Sequence, residues 1–360
     1  MYYLLKKIFF SLDPETAHHA VKLLSKTAPT PLIRALAHFE HPTLAAKLGE
    51  THLKNPIGLA AGFDKNGEMI PFLEALGFGF LELGSVTALA CAGNPKPRIF
   101  RLPKDKSLIN WMGLPNIGAD DFVKNLKTQK SKIPCGLNIA KTPDFAYEAA
   151  RQKTKTGIDD FLETYEKLAR HGNYTVFNLS CPNTGESVLF ESPELFSSLG
   201  REIIKTNRRL KDKKPILLKL SPDLQQKDLA KVVESALKLG FNGFVIANTT
   251  RSRVGIKTPL KGEVKNRGGL SGHALKKSAN AQLRRVFDIT GKNSLLIAVG
   301  GIMSFDDLLE KFSLGASLCQ IYTGLIYNGP FFVKELNQKL AKLCKKNGLK
   351  NYRELVGADL

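Results

Sequence analysis

Residues 55–65 read NPIGLAAGFDK, a short apolar run that ends in small residues, an acid and a lysine. The run 57–60 predicts a buried β-strand, because it is brief, apolar and bounded by turn-forming residues. Downstream, similar runs alternate with longer amphipathic stretches, which is typical of parallel strands connected by helices. The predicted strands are 57–60, 80–83, 136–139, 175–178, 216–220, 243–247, 295–299 and 318–322, and the predicted helices include 161–170, 193–210, 226–239 and 305–312.

Eight strand–helix units within about 300 residues indicate an α/β protein, and specifically a (β/α)8 TIM barrel. A doubly wound nucleotide-binding sheet is disfavoured, because no G-x-G-x-x-G motif follows the first strand. The length of 360 residues leaves room for one barrel and a small appendage. The hydrophobic fraction of 43% excludes a disordered, collagen-like or multi-span membrane protein.

The chain is strongly basic, with 53 Lys and Arg against 33 Asp and Glu and a net charge of +20. Such an excess fits a nucleic-acid partner, an anionic membrane surface or simply the lysine-rich exterior of a soluble enzyme. Cysteines stand at 91, 135, 181, 319 and 344, with no C-x-x-C pair and no zinc spacing. We therefore expect no metal site, and reduced thiols as in a cytosolic protein.

Residues 1–42 predict a small N-terminal helical extension. No apolar run reaches the roughly 18–20 residues of a membrane span, and Asp13 and Glu15 interrupt any signal-like stretch. Asp13-Pro14-Glu15 predicts the start of a second helix, and 32–39 predicts a third. The extension is either a cap on the barrel or an interfacial anchor, whose aromatic side chains and lysines suit a lipid headgroup boundary. The first helix would carry one apolar stripe, formed by Leu4, Leu5, Ile8, Phe9 and Leu12.

Polar residues collect where the predicted strands end, and this is the face of a barrel that carries the active site. A packed core needs neither lysines nor a series of asparagines, so the pattern predicts a site for a polar, anionic ligand. Gly268, Gly269 and Gly272 follow the sixth strand. Glycines at 300–301 and 324 lie in the loops after strands seven and eight, where barrels commonly bind phosphate through backbone N–H groups. The sequence therefore predicts a phosphate-bearing cofactor at the mouth.

Five separated motifs, in order, resemble the dihydroorotate dehydrogenase family. They are NPIGLAAGFDK at 55–65, KPRIFRL at 96–102, NWMGL at 110–114, NLSCPN at 178–183 and NTT at 248–250. The resemblance extends over about residues 1–329. It implies an FMN enzyme that oxidises (S)-dihydroorotate to orotate in pyrimidine biosynthesis.

The resemblance also implies site residues. Lys219 would lie near the N1–C2=O edge of the flavin, and Lys65 near the substrate carboxylate or the flavin O4 edge. The FMN contacts would be Ala61, Gly62, Phe63, Asp64, Lys65, Ser85, Asn138, Asn178, Lys219, Ala247, Gly272, Gly301, Tyr322 and Thr323. The orotate pocket would be Lys65, Asn110, Trp111, Met112, Gly113, Leu114, Asn178, Asn183, Asn248 and Thr249.

Cys181 is the expected base. Oxidation of dihydroorotate removes a proton from C5 and a hydride from C6, and a thiolate on the face opposite the flavin can take the proton. The other four cysteines are expected to be small buried side chains. Cys181, Lys219 and Lys65 are thus the predicted catalytic residues.

The family contains a membrane-associated class that reduces quinone and a soluble class that reduces fumarate or NAD. The extension, the Asp13-Pro14-Glu15 helix with His18, and residues 100–102 follow the quinone class. Cys181, where that class normally has serine, and NWMGLPN at 110–116 follow the soluble class. We predict the quinone class.

This prediction divides the chain into a membrane and quinone-tunnel segment at 1–42 and an FMN barrel at 43–360. His18 and Arg101, with Tyr322, would lie near the quinone. The protein would be a peripheral monomer that binds an anionic membrane surface on the cytoplasmic side of the inner membrane.

Three alternatives remain. One is a soluble fumarate- or NAD-dependent dihydroorotate dehydrogenase. Another is a tRNA dihydrouridine synthase, also an FMN barrel with a reactive cysteine. Its RNA-binding domain has no room after Tyr322, so we expect no nucleic-acid partner. The third is a non-catalytic membrane-associated barrel that binds an anion at its mouth.

Overall fold

A computed structural model of the chain describes residues 2–179 and 190–358. Its centre is a closed barrel of parallel strands that follow one another around the ring in chain order, and the last strand pairs with the first through Cys319 and Ile57. The barrel strands are β1 (Ile57–Leu59), β2 (Phe80–Val86), β3 (Cys135–Ile139), β4 (Tyr174–Asn178), β5 (Ile216–Leu220), β6 (Gly243–Ile246), β7 (Leu295–Val299) and β8 (Leu318–Ile321). The predicted (β/α)8 barrel is confirmed.

Helices surround the barrel and also form the N-terminal extension. Local sequence defines their starts: Ser192 caps one helix by accepting from the Leu195 N–H, and Pro193 occupies the first helical position, where no N–H is needed. The helices are α1 (Tyr2–Ser11), α2 (Pro14–Thr27), α3 (Thr30–Ala37), α4 (Ile70–Ala75), α5 (Ala119–Thr128), α6 (Asp144–Ala149), α7 (Gly157–Leu168), α8 (Pro193–Arg209), α9 (Gln226–Leu239), α10 (Lys276–Thr290), α11 (Phe305–Ser313), α12 (Thr323–Asn328) and α13 (Phe332–Lys346).

The main core lies between the barrel strands and the surrounding helices. Its largest side chains are aromatic, and Phe80, Tyr174 and Phe177 are fully buried on the strands while Phe161 covers Phe177 from α7. Full burial of such a side chain stabilises the fold by roughly 1.5–3 kcal/mol. Buried polar side chains also lie on the strands, among them Glu82, Asn138 and Gln320, and such groups need hydrogen-bond partners.

Two small sheets, which the sequence patterns did not predict, close the ends of the barrel. A hairpin of Ala46–Leu48 and Thr51–Leu53 brings Gly49 against Pro215, just before β5. At the opposite end, Ile99–Leu102, Ser107–Asn110 and Gly269–Gly272 form an antiparallel sheet, here called the mouth sheet. The glycine-containing segment at 268–272, which follows the sixth barrel strand, is largely an edge strand of the mouth sheet.

The N-terminal extension packs on the barrel through specific contacts. The Asp13 carboxylate accepts from the Glu15 and Thr16 N–H groups, which confirms the predicted start of α2. The Tyr2 hydroxyl donates to the Ile326 carbonyl at 2.5 Å, and the Lys6 ammonium donates to the Tyr327 carbonyl at 2.9 Å. Helix α1 is thus held against α12. No helix among residues 2–179 and 190–358 is long and apolar enough to cross a membrane.

Candidate functional site

Two cavities meet at the carboxyl ends of the barrel strands. The first, here called the mouth cavity, is lined by the strand ends and the mouth sheet. The second, here called the extension cavity, has a volume of about 790 Å³ and lies between α1, α2 and the barrel. Six residues line both: Lys65, Ile99, Leu108, Met112, Pro115 and Tyr322. A ligand in one cavity therefore lies next to a ligand in the other.

Most of the residues expected to contact the flavin line the mouth cavity: Ala61, Gly62, Lys65, Ser85, Asn178, Lys219, Ala247, Gly272, Gly301, Tyr322 and Thr323. Three do not. Phe63 and Asp64 line the extension cavity, where the Asp64 carboxylate accepts from the Glu68 and Met69 N–H groups at the start of α4. Asn138 is fully buried below Ser85.

The residues expected to hold orotate are also mostly in place. Trp111 is outside the cavity wall and stacks on Phe100 within the mouth sheet, with ring centroids 4.8 Å apart. Gly113 is outside the wall as well, and Cys181 and Asn183 lie outside the part of the chain that the structure describes. Lining the mouth cavity are Lys65, Asn110, Met112, Leu114, Asn178, Asn248 and Thr249.

Leu114 carries backbone strain at this site. Its φ is +56°, in the left-handed region, where a non-glycine residue costs roughly 1–2 kcal/mol. The Asn116 side-chain amide donates to the Leu114 carbonyl at 2.8 Å and holds the turn. The strained backbone directs the loop at 112–115 toward the cavity, and such strain is concentrated at functional sites.

Below the mouth cavity lies a buried carboxylate that the sequence analysis missed. Glu82 accepts from the Asn138 amide at 2.7 Å, from the Gln320 amide at 2.7 Å and from the Lys219 ammonium at 3.4 Å. Its exposed fraction is 0%. A single acid within the apolar run FLELGSV was the signal that could have revealed it.

Lys65 lies where the two cavities join. Burial lowers the pKa of its ammonium to about 8, the negative charge of Glu15 opposes this shift, and the positive charge of Arg98 contributes to it. Lys65 is therefore mostly charged at neutral pH, and its charge is available to an anion at the mouth. Glu15 belongs to α2, so the extension contributes to the electrostatics of the mouth.

The extension cavity contains a row of rings. His18 on α2 lies edge-to-face with Phe63 at 5.3 Å, and Phe63 lies edge-to-face with Tyr322 at 5.6 Å. Burial, with the charge of Lys65, lowers the pKa of His18 to about 4. The ring is therefore neutral, and its Nε2–H donates to the Phe63 carbonyl at 2.8 Å.

Arg101 also lines the extension cavity, where it contacts α1 and the residue that follows it. Its guanidinium donates to the Leu12 carbonyl at 2.6 Å and lies 4.9 Å from the centre of the Phe10 ring. His18 and Arg101 both line the extension cavity, as the expected quinone pocket requires. The lining of this cavity therefore contains both polar and aromatic side chains.

The mouth cavity fits a flavin mononucleotide. Gly301 has φ +81°, and a Cβ there would come within 2.5 Å of the Lys276 backbone. Any larger residue at this position of the cavity wall would therefore be strained and would clash. Beside it, α12 begins at Thr323, and first-turn N–H groups of a helix have no acceptor within the helix. These groups suit the phosphate, and the Lys219 ammonium on β5 suits the electron-rich edge of the ring.

The four cysteines that the structure describes, Cys91, Cys135, Cys319 and Cys344, are buried and unpaired in disulfides. Burial raises the pKa of each thiol, to about 11 for Cys135 and about 12 for Cys319. A buried thiol with a raised pKa is unreactive. In the ranges 2–179 and 190–358, no cluster of three or more His, Cys, Asp or Glu side chains could hold a metal ion.

The barrel and its mouth, lined by cations and amides, define the class of protein as a flavin-dependent TIM-barrel oxidoreductase. Residues 43–344 match the family model described as Dihydroorotate dehydrogenase. The chain belongs to the dihydroorotate dehydrogenase family, whose cofactor is FMN. The family prediction made from the five motifs is confirmed.

Proteins similar to this chain include the dihydroorotate dehydrogenase (quinone) of Nocardia farcinica, with 36% identity over 100% of this chain and 97% of the relative. The same-named protein of Buchnera aphidicola subsp. Schizaphis graminum is 38% identical, over 94% of this chain and 99% of the relative. Among solved structures, DHODH from Eimeria tenella in complex with ferulenol aligns with a TM-score of 0.85 and 28% identity. That alignment covers 96% of this chain and 95% of the other.

Proposed function

We propose that the protein oxidises (S)-dihydroorotate to orotate with FMN and passes the electrons to a quinone. The observation that carries the proposal is the junction of the two cavities at Lys65 and Tyr322. One cavity suits an anionic substrate on a flavin, and the other is an apolar space that reaches the same place from the extension. Relatives that match nearly the full chain are named for the quinone.

In this proposal, residues at several strand ends have defined roles at the mouth cavity. Bound FMN supplies the hydride acceptor. Lys219 holds a positive charge at the ring edge where negative charge develops, which lowers the barrier to hydride transfer. Lys65 pairs with the substrate carboxylate, and the amides of Asn178 and Asn248 orient the substrate by hydrogen bonds.

Cys181 is the proposed base. It follows β4 in NLSCPN, three residues after Asn178, which lines the cavity. Its thiolate would take the C5 proton while the C6 hydride leaves toward FMN, so proton and electron pair depart to different acceptors. Cys181 is the feature of the soluble class, whereas the extension is the feature of the quinone class.

The electron acceptor is assigned to the extension cavity. A quinone there would have apolar walls for its tail and ring, with His18, Arg101 and Tyr322 as polar contacts. Neutral His18 donates to the Phe63 carbonyl through Nε2, so its Nδ1 is an acceptor. We further propose that residues 1–42 serve this cavity and that 43–360 form the FMN barrel.

The extension would bind the membrane surface peripherally, without crossing the bilayer. It exposes seven large apolar side chains, each between 38% and 61% exposed: Leu5, Ile8, Leu12, Leu23, Leu24, Leu32 and Leu36. Exposed apolar residues beside lysines suit an anionic headgroup boundary. Quinone would enter from the lipid at the cytoplasmic side of the inner membrane, and the proposed enzyme acts as a monomer.

An anaerobic spectral titration of the holoenzyme tests the proposal. Dihydroorotate should bleach the flavin absorbance, and a short-chain quinone should restore it faster than fumarate or NAD does. Restoration by fumarate or NAD alone would assign the protein to the soluble class, the reading that Cys181 favours. A flavin that dihydroorotate leaves oxidised would refute the proposed substrate.

A further inference from the structure

Glu82 is buried at the centre of the barrel and belongs to none of the groups assigned to substrate, flavin or quinone. Resting on the proposed function, we propose that Glu82 is a positioning residue for the oxidation. It anchors the Lys219 ammonium and sets the direction of the hydrogen bonds that orient the cavity asparagines. The residue itself touches the flavin site only through these neighbours.

Burial of the Glu82 carboxylate must be compensated. Removing a carboxylate from water is costly, and hydrogen-bond donors must offset this cost. Glu82 on β2 has three such donors, and each stands on a different strand: Asn138 on β3, Lys219 on β5 and Gln320 on β8. Lys219 and Gln320 line the mouth cavity. One carboxylate therefore sets the positions of two residues of the cavity wall.

A chain of hydrogen bonds that ends at Glu82 runs in a single direction. An ionised carboxylate only accepts, so Asn138 must turn its NH2 group to Glu82 and its Oδ1 toward Ser85. The Ser85 hydroxyl donates to that Oδ1. Because its proton is used there, Ser85 Oγ accepts from the Asn178 amide at 3.2 Å.

The same chain continues into the substrate region. Asn178 Oδ1 accepts from the Asn248 amide at 3.2 Å, and Asn248 Oδ1 accepts from the Thr249 N–H at 2.9 Å. Every donor in the series points back toward Glu82. The side-chain amide orientations of Asn178 and Asn248 at the cavity thus depend on a charge that is three hydrogen bonds from Asn178.

The charges of Glu82 and Lys219 partly balance each other. Glu82 and Lys219 are both almost fully buried, with exposed side-chain fractions of 0% and 7%. Glu82 carries a negative charge that also helps burial to raise the pKa of the Tyr174 hydroxyl far above its usual range. The positive charge that Lys219 presents to a bound flavin is therefore partly compensated by Glu82. Loss of the Glu82 charge would leave Lys219 uncompensated and so favour the reduced, more electron-rich flavin.

The experiment compares the holoenzyme with E82Q, a nearly isosteric change that removes the charge. The FMN midpoint potential, measured without substrate at about pH 6, where an amine stays protonated, should become more positive. The rate of flavin reduction by dihydroorotate should fall by up to about a hundredfold, as expected when loss of a remote support displaces groups at the reacting centre by roughly 1 Å. D160N is the matched control, because Asp160 on α7 is equally buried but accepts from the Tyr147 hydroxyl and the Thr142 N–H. It should keep the wild-type potential.

An E82Q potential equal to that of wild type, with a loss of melting temperature like that of D160N, would overturn the proposal. If E82Q does not fold, E82D tests the proposal instead. Asp keeps the charge on a shorter side chain, so the FMN midpoint potential should stay near that of wild type while flavin reduction by dihydroorotate becomes slower. An E82D enzyme with the wild-type reduction rate would also overturn it. Failure of the proposed function would be seen separately, because the flavin of the wild-type enzyme would then not be reduced by dihydroorotate. The FMN midpoint potential of E82Q would still test the role of Glu82 in that case.

Discussion

Glu15 of the extension and Arg98 of the barrel mouth form a forked ion pair. Nε of Arg98 donates to both Glu15 carboxylate oxygens, at 3.1 and 3.2 Å, and Nη2 adds a third bond at 3.0 Å. The same guanidinium donates through Nη1 to the carbonyls of Ala92 and Asn94. One residue therefore ties α2 to the loop that leads to Met112 and the substrate region.

Glu15→Gln should weaken this tie and change the pH dependence of the mouth. The variant should lose about 1–3 kcal/mol of unfolding free energy, because the buried guanidinium loses a charged acceptor. Since Glu15 raises the pKa of Lys65, its removal should lower that pKa below about 8. The basic limb of kcat/KM for dihydroorotate should shift to lower pH. Glu335→Gln, which removes one exposed ion pair with Lys339 on α13, is the control and should change neither quantity measurably.

Lys65 predicts a pH effect on substrate binding. Its charge is present below a pKa of about 8 and is lost as the pH rises through that value. The KM for dihydroorotate should therefore rise above about pH 8, while Lys65→Met should raise KM at every pH. Steady-state kinetics between about pH 6 and 9.5 measure this. A wild-type KM that stays flat over this range would contradict the assignment.

His18 predicts a selective loss in the second half of the reaction. With its pKa lowered to about 4, the ring is neutral through the working range, so quinone reduction should be insensitive to titration of this residue. His18→Ala removes the bond to the Phe63 carbonyl. It should slow reoxidation by quinone severalfold and leave reduction by dihydroorotate unchanged in stopped-flow traces. His52→Ala, on the exposed face of the hairpin, is the control; equal slowing of both half-reactions would refute the role of His18.

The exposed leucines of the extension predict membrane binding. Leu24→Ser, Leu32→Ser and Leu36→Ser together should reduce sedimentation with anionic phospholipid vesicles severalfold, because each removes apolar surface from the interface. Flavin reduction by dihydroorotate should be unchanged. Leu195→Ser, on a leucine that is 43% exposed on α8, should bind vesicles like wild type. Binding that is independent of the three leucines would assign membrane contact to another surface.

Cys181 predicts a graded loss of the reductive half-reaction. Cys181→Ala should abolish nearly all reduction of the flavin by dihydroorotate, because no group remains to take the C5 proton. Cys181→Ser should keep some turnover that increases with pH, since a hydroxyl needs a higher pH to act as a base. Reduction at a near-normal rate in the alanine variant would remove Cys181 from the mechanism.

Sequence patterns located much of the site because strand ends in a closed parallel barrel all face one side. Lys65, Asn178, Lys219 and Thr323 stand far apart in the chain, and each follows or ends an apolar strand. Their convergence could be expected once eight strands were counted. The helix starts at Asp13 and Ser304 are equally local, since each depends on a side-chain oxygen and an N–H within three residues.

Glu82 shows what such patterns could not supply. Its partners Asn138, Lys219 and Gln320 are 56 to 238 residues away in sequence, and only closure of the barrel brings them together. The mouth sheet is similar, because Gly269 pairs with Asn110 across the chain. Trp111, expected in the substrate pocket, instead stacks on Phe100 because that sheet needs a core of its own.

The amino-acid sequence by itself determined the strand and helix periods, the helix caps, the net charge of +20 and the polar residues at each strand end. These are local properties, because they depend on spacing along the chain. Only the tertiary structure decided which cations lie at the site and which charges balance them. Burial and distance set the pKa of Lys65, the partners of Lys219 and the junction of the two cavities, and these arise when distant segments exclude water together.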